Sequence, residues 1–213
     1  ILAATGNLIS TFGEDEAGEL YYASLGFSTT DGAVYRISVP PALPFSDDFS
    51  DGDASDWRHT KGTWTVVNQA LQGSTNKKAD NFAPFSGCSN CTIEADLQVD
   101  AANGRFSLLG WYRSKSDYVE LMFMADRDRV ILKQRFGGTV AAKQKVNFTI
   151  DPAVNYHAKV SFDGTQFQVF LNGDTNPIIT LRAAGLALGG AGFRAKSTSH
   201  STVTGTFDSL SIY

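Results

Sequence analysis

Residues 117–126 read DYVELMFMAD, and apolar and polar positions alternate through them. At a period of two, Val119, Leu121 and Phe123 fall on one side of an extended chain, and Tyr118, Glu120, Met122 and Met124 on the other. QFQVFLNGD at 166–174 repeats the pattern and sets Phe167, Val169 and Leu171 on one face. Outward from these two stretches, the chain beyond residue 61 is a series of eleven short runs of this type, with GTWTVVNQALQG at 62–73 read as one of them. Turn dipeptides, DG at 163–164 and NG at 172–173, separate them. No segment of ten or more residues spaces its apolar positions as a helix does. The pattern predicts an all-β chain folded as an antiparallel two-sheet sandwich.

Composition agrees with that class. The chain has 213 residues, with 20 Gly, 15 Phe and 7 Tyr, which favours strands and tight turns around one core of sandwich size. The net charge of −4, from 18 basic and 22 acidic residues, argues against a nucleic-acid partner. The most basic stretch, RDRVILKQR at 127–135, interleaves its charges with apolar residues and reads as a solvated strand face. No run of eighteen apolar residues exists, so no membrane-spanning helix is expected. ILAATGNLIS at 1–10 lacks the basic start and apolar core of a signal peptide, which puts any export signal upstream of Ile1.

Cys88 and Cys91 stand in GCSNCT. This spacing serves a redox pair, half a zinc site or a small disulfide loop. The redox reading wants a helix after the motif, whereas TIEADLQVD alternates like a strand; the zinc reading wants two more ligands, and His59, His157 and His200 are isolated. A disulfide is expected, and with it a secreted or periplasmic location. NCT at Asn90 and NFT at Asn147 match the glycosylation pattern, relevant only in a eukaryotic source.

The chain divides into three parts. Residues 1–39 hold NLISTFG, GELYYASL and GAVYRISV, with turns at EDEAG and STTDG. Residues 40–44, PPALP, form a proline-rich linker unfit for a sheet interior, and residues 45–213 carry the alternating series.

ISTFGEDEAGELYYASLG at 9–26, followed by GAVYRI at 32–37, resembles the end of the β-propeller in soluble sugar dehydrogenases of the glucose/sorbosone type. That resemblance makes residues 1–39 the remnant of a terminal blade, since one blade needs about 40 residues and cannot bury both faces alone. Pyrroloquinoline quinone would sit only in the propeller of a longer parent, on residues of other blades, so no quinone-binding or catalytic residue is assigned here. A blade remnant with open edges implies a homodimer through its exposed strands.

The remainder resembles the concanavalin A-like and laminin G-like jelly rolls found as accessory domains of bacterial secreted enzymes. The motifs are DDFSD at 47–51, Trp57, GTWTVVNQAL, ADL at 95–97, GWYRSKSDYV at 110–119, GFRA at 192–195 and FDSLSIY at 207–213. The fold hosts lectins, binding modules and glycosidases alike. Laminarinase-type members carry E-x-D-x-x-E on one strand; in EADLQV at 94–99, Glu94 and Asp96 match but Val99 replaces the second Glu, so that acid/base pair is incomplete. A hydrolase of glycosides or keto-sugars with another constellation, or a structural or protein-interaction module, stays open.

The leading expectation is a non-catalytic module for polysaccharide or oligosaccharide. Sugars present C–H faces to rings and hydroxyls to polar side chains. The candidates are Trp111, Arg113, Tyr118, Glu120 and Arg135, with Lys133, on three successive runs; their charges are equally suited to cross-strand ion pairs. Trp57 and Trp64 are expected in the core or as a lid. Jelly rolls of this type often hold a structural calcium ion, which here would use Asp47 or Asp48 with Asp208; turn-forming roles for the same Asp side chains are the alternative.

Overall fold

Alternation becomes a buried face wherever two sheets close on each other. The computed structural model describes residues 8–14, 16, 20–25, 33–37, 43–84, 87–185 and 187–213. The STTDG turn, part of EDEAG and residues 40–42 of the linker lie outside the described residues. The chain forms two compact units, residues 1–40 and 41–213. In the first, β1 (Leu8–Glu14), β2 (Leu20–Leu25) and β3 (Ala33–Ile37) form an antiparallel meander.

The second unit begins with β4 (Phe45–Asp47), β5 (Arg58–Lys61), β6 (Thr63–Val67), β7 (Ala70–Thr75) and β8 (Lys78–Phe82). It continues through β9 (Thr92–Val99), β10 (Gly104–Ser114), β11 (Asp117–Met124), β12 (Arg129–Phe136) and β13 (Thr139–Asn147). It ends with β14 (Asn155–Phe162), β15 (Gln166–Leu171), β16 (Ile179–Arg182), β17 (Gly190–Ser197) and β18 (Val203–Ile212). One sheet runs β13-β12-β11-β10-β17-β8-β5, and the other β16-β15-β14-β9-β18-β7-β6 with β4 beside β18. All these pairings are antiparallel, so the two-sheet sandwich expected from the sequence is present. A single 3-10 turn, Ala125–Arg127, is the helical content of the described residues, and none of their helices could cross a membrane.

The core lies between the sheets. Val119, Leu121 and Phe123 from β11 and Phe167, Val169 and Leu171 from β15 are buried in it, as their alternation predicts. Phe193 stacks on Phe207 at 4.6 Å and on Trp57 at 5.5 Å, which ties both sheets to the loop before β5. Trp57 is buried and Trp64 packs at the core margin.

One local reading needs correction, and one strand departs from simple alternation. GTWTVVNQALQG is a hairpin of two strands, because Asn68 and Gln69 take φ of 52° and 61°, the left-handed pair of a type I′ turn. In β10 a bulge breaks the alternation: Leu109 faces Gly192 and Tyr112 faces Gly190, so one strand advances three residues while its neighbour advances two. Trp111 sits in the bulge at φ 48° and turns inward with Gly110, while Leu109 and Tyr112 share the outer face.

Candidate functional site

The outer face of the seven-stranded sheet carries the polar and aromatic cluster. Its frame is set by register: Glu120 lies opposite Lys133 and Leu109, Ser107 opposite Arg194 and Met122, and Arg194 opposite Asp80. Five strands thus bring together residues that are far apart in the chain. Glu120, 2 % exposed, accepts hydrogen bonds from Ser107 Oγ at 2.8 Å and Arg194 Nη1 at 3.0 Å, and pairs with Lys133 Nζ at 2.7 Å. Arg194 Nε donates to Asp80 Oδ1 at 2.6 Å, and Lys78 Nζ meets Asp80 Oδ2 at 2.8 Å. Burial alone would raise the Glu120 carboxyl, but Arg194 and Lys133 outweigh it and hold it below the usual range. Burial works against the Arg194 charge as well, and Glu120 and Asp80 reverse that and strengthen its hold on the proton.

Rings edge this network. Phe82 meets Tyr112 at 4.2 Å and Tyr112 meets Tyr118 at 5.8 Å; Arg58 lies over Phe82 at 4.9 Å and Arg194 over Tyr118 at 5.4 Å. Phe82 and Tyr118 are buried by their neighbours, whereas Tyr112 keeps part of its ring open. The arrangement offers one ring face beside fixed guanidinium, ammonium and carboxylate groups, which suits a polyhydroxylated ligand.

The residues expected from sequence separate. Tyr118 and Glu120 belong to this cluster. Trp111 does not: it is 2 % exposed, packs edge-on against Phe162 and Phe167, and its indole N–H donates to Ser89 O at 2.6 Å. The bulge is the reason. Arg113 is exposed, and Arg135 donates to Gly138 O; together with Tyr118 they border a notch of about 10 Å³, room for about one water molecule. Sequence reasoning missed Arg194, Asp80, Tyr112 and Arg58. GFRA was visible as a motif, but only the strand pairing reveals that its Arg faces Asp80.

The acidic loop before β5 is organised by its own carboxylates. Asp47 accepts the Trp57 indole N–H at 2.7 Å and the Phe49 N–H at 2.9 Å, while Asp48, Asp51 and Asp53 cap the turns that follow. Asp208 accepts its neighbour Ser209 N–H at 2.7 Å; burial raises its carboxyl, and the charges of Asp96 and Asp48 add to that. Among the described residues no three His, Cys, Asp or Glu side chains converge as a metal site. The Asp47 carboxylate anchors Trp57, and the Asp48 and Asp208 carboxylates accept the Ser50 and Ser209 N–H groups. A cleft of about 750 Å³ opens along these residues and Ser209–Ser211.

On the outer face of the other sheet, His157 Nδ1 meets Asp96 at 2.9 Å and its Nε2 lies 3.8 Å from Glu94, which also accepts the Tyr213 hydroxyl at 3.1 Å. Glu94 and His157 line a cleft of about 430 Å³ with Lys159 and Phe170. Val99 points into the core, so β9 supplies no third carboxylate. Cys88 and Cys91 are joined in a disulfide, with Cα atoms 6.0 Å apart.

No family model and no curated protein sequence matches the chain. Among solved structures it is similar to the carbohydrate binding module CBM66 from Bacillus subtilis, with TM-score 0.63 and 20% identity over 74% of this chain and 94% of that one. It is also similar to a Bacillus licheniformis beta-glucanase, with TM-score 0.64 and 8% identity over 79% and 97%. A protein described as a native glycosidic hydrolase gives TM-score 0.66 at 10% identity over 83% and 98%. At these identities the likeness is one of fold: the chain is a jelly-roll sandwich of the architecture shared by a carbohydrate-binding module and by glucanases.

Proposed function

We propose that residues 41–213 form a non-catalytic carbohydrate-binding module whose ligand lies on the outer face of the seven-stranded sheet. The observation that carries this reading is the half-open Tyr112 ring, set between Phe82 and Tyr118 beside the fixed Arg194–Glu120–Asp80 network. A ring takes the C–H face of a sugar, the buried network fixes that ring's surroundings, and the accessible Arg58 and Lys78 beside it donate to hydroxyls. The binding module and glucanases of the same fold support a saccharide ligand. Resemblance of residues 9–37 to a sugar-dehydrogenase propeller supports a longer, exported parent enzyme, and the Cys88–Cys91 bridge suits an oxidising compartment. The intact mass of the native secreted protein tests that parentage.

Affinity electrophoresis of the 213-residue chain in gels containing neutral and acidic polysaccharides tests the binding reading. Retardation is expected, and Tyr112→Ala should weaken it about fivefold to tenfold with the fold retained. Migration unaffected by every polysaccharide refutes the reading. The Glu94–His157 cleft favours a hydrolase as the alternative; polysaccharide turnover lost in Glu94→Gln would establish that instead.

A further inference from the structure

The net charge of −4 hides a segregation of charge. In β12, Val130 and Leu132 face the core, so Arg129, Lys133 and Arg135 share the outer face. In β13, Lys143 lies opposite Lys133 and Lys145 opposite Ile131, which extends the same face. At the other side of the sheet, Lys196 lies opposite both Lys78 and Arg105. The carboxylates within this face, Glu120 and Asp80, are already engaged by Arg194, Lys133 and Lys78. Among the described residues, Arg129, Lys143, Lys145 and Lys196 form no ion pair. The outer face of the opposing sheet mixes signs instead: Asp208 lies directly opposite Asp96, and Lys159 opposite Glu94.

Like charges directly opposite across a strand pair are unfavourable. Lys133–Lys143 and Lys78–Lys196 are two such pairs on one face, each with a single internal carboxylate. A bound polyanion relieves both. We propose that this face, if it is the sugar-binding surface, selects an acidic polysaccharide: a polymer of uronic acid units whose carboxylates meet Lys143, Lys145 and Lys196 while one ring lies against Tyr112. The inference rests on the binding reading above and narrows its ligand class. Alternate residues of a strand stand about 7 Å apart, so Lys143 and Lys145 present separated charges to a chain of rings. A nucleic-acid strand fits this face less well, because successive bases need several open rings, and of the described Phe82, Tyr112 and Tyr118 rings Tyr112 alone is open.

The test is titration calorimetry of the full chain with polygalacturonate, a neutral β-glucan and duplex DNA, each at low and high salt. Polygalacturonate should bind at least about tenfold tighter than the neutral glucan, with affinity falling as salt rises. The double variant Lys143→Gln/Lys145→Gln, exposed at both positions, should lose roughly tenfold for polygalacturonate only, with a melting temperature no lower than that of the parent because the Lys133–Lys143 repulsion is relieved. Equal binding of the neutral glucan, indifference to salt, DNA bound as tightly as the polyuronate, or an unaffected double variant each overturns the inference. Neutral-glucan binding alone leaves the binding module standing without its acidic preference; no polysaccharide binding removes both.

Discussion

Glu120→Gln tests whether the buried network holds the sheet face together. The side chain is 2 % exposed, and its two oxygens serve Ser107, Arg194 and Lys133 at 2.7–3.0 Å. Glutamine keeps the shape and one acceptor but removes the charge, and it directs an amide N–H at two cations. Breaking a buried pair by removing one partner costs about 3–5 kcal/mol. Arg194 retains Asp80 and Lys133 retains partial access to water, so the lower end, about 3 kcal/mol, applies. For a chain of this size that corresponds to a fall in Tm of about 6–12 °C, read by calorimetry at neutral pH. The pH dependence adds a second signature. Because Glu120 titrates below its unfolded value, its contribution is complete above the unfolded pKa and is lost as pH falls through the folded one. The gap between wild type and variant should therefore narrow at about pH 3. A variant melting within about 1 °C of wild type at neutral pH, or a gap unchanged in acid, refutes the reasoning.

Trp111→Ala should destabilise by about 3–5 kcal/mol in urea titration, as loss of a buried core ring does; unchanged stability with lost sugar binding would return Trp111 to the surface. Asp208 is held above its usual pKa by burial and by the charges of Asp96 and Asp48, so its ionised form weakens the fold at neutral pH and the penalty fades as pH falls toward the unfolded value. Asp208→Asn should raise Tm by about 1–3 °C at neutral pH, with no gain below about pH 4; a lower Tm contradicts this. Phe12, Leu20 and Val34 are exposed on the three-stranded sheet, and light scattering should find the full chain dimeric and residues 41–213 monomeric; a monomeric full chain discards the dimer.

What the sequence disclosed depended on whether a feature is periodic. The inner faces of β11 and β15 follow from alternation because a strand with one buried face cannot slip by one residue. Glu120 opposite Lys133 was within reach for the same reason, since adjacent hairpin strands pair in order. The bulge at Trp111 was not: one extra residue in one strand reverses every assignment beyond it, and a tryptophan at φ 48° leaves no compositional trace, unlike the glycine at 173. The turn at Asn68 and Gln69 escaped for a similar reason, because Gln is an uncommon second residue of a type I′ pair. Asp80 and Arg194 are 114 residues apart, and only the crossover that seats β17 between β10 and β8 makes them neighbours. The acidic loop was legible as a set of turns. Its Asp side chains fold back on their own backbone, as turn-forming residues do, and the one that reaches further meets an indole N–H, a partner ten residues away that no local pattern marks. The basic face was hidden by arithmetic, because a whole-chain sum of −4 averages it with the acidic loop at 47–56, whereas the interleaving of RDRVILKQR is what gathers Arg129, Lys133 and Arg135 onto one face. Charge read per strand face, rather than per chain, is the sequence signal that leads from β12 and β13 to an anionic ligand.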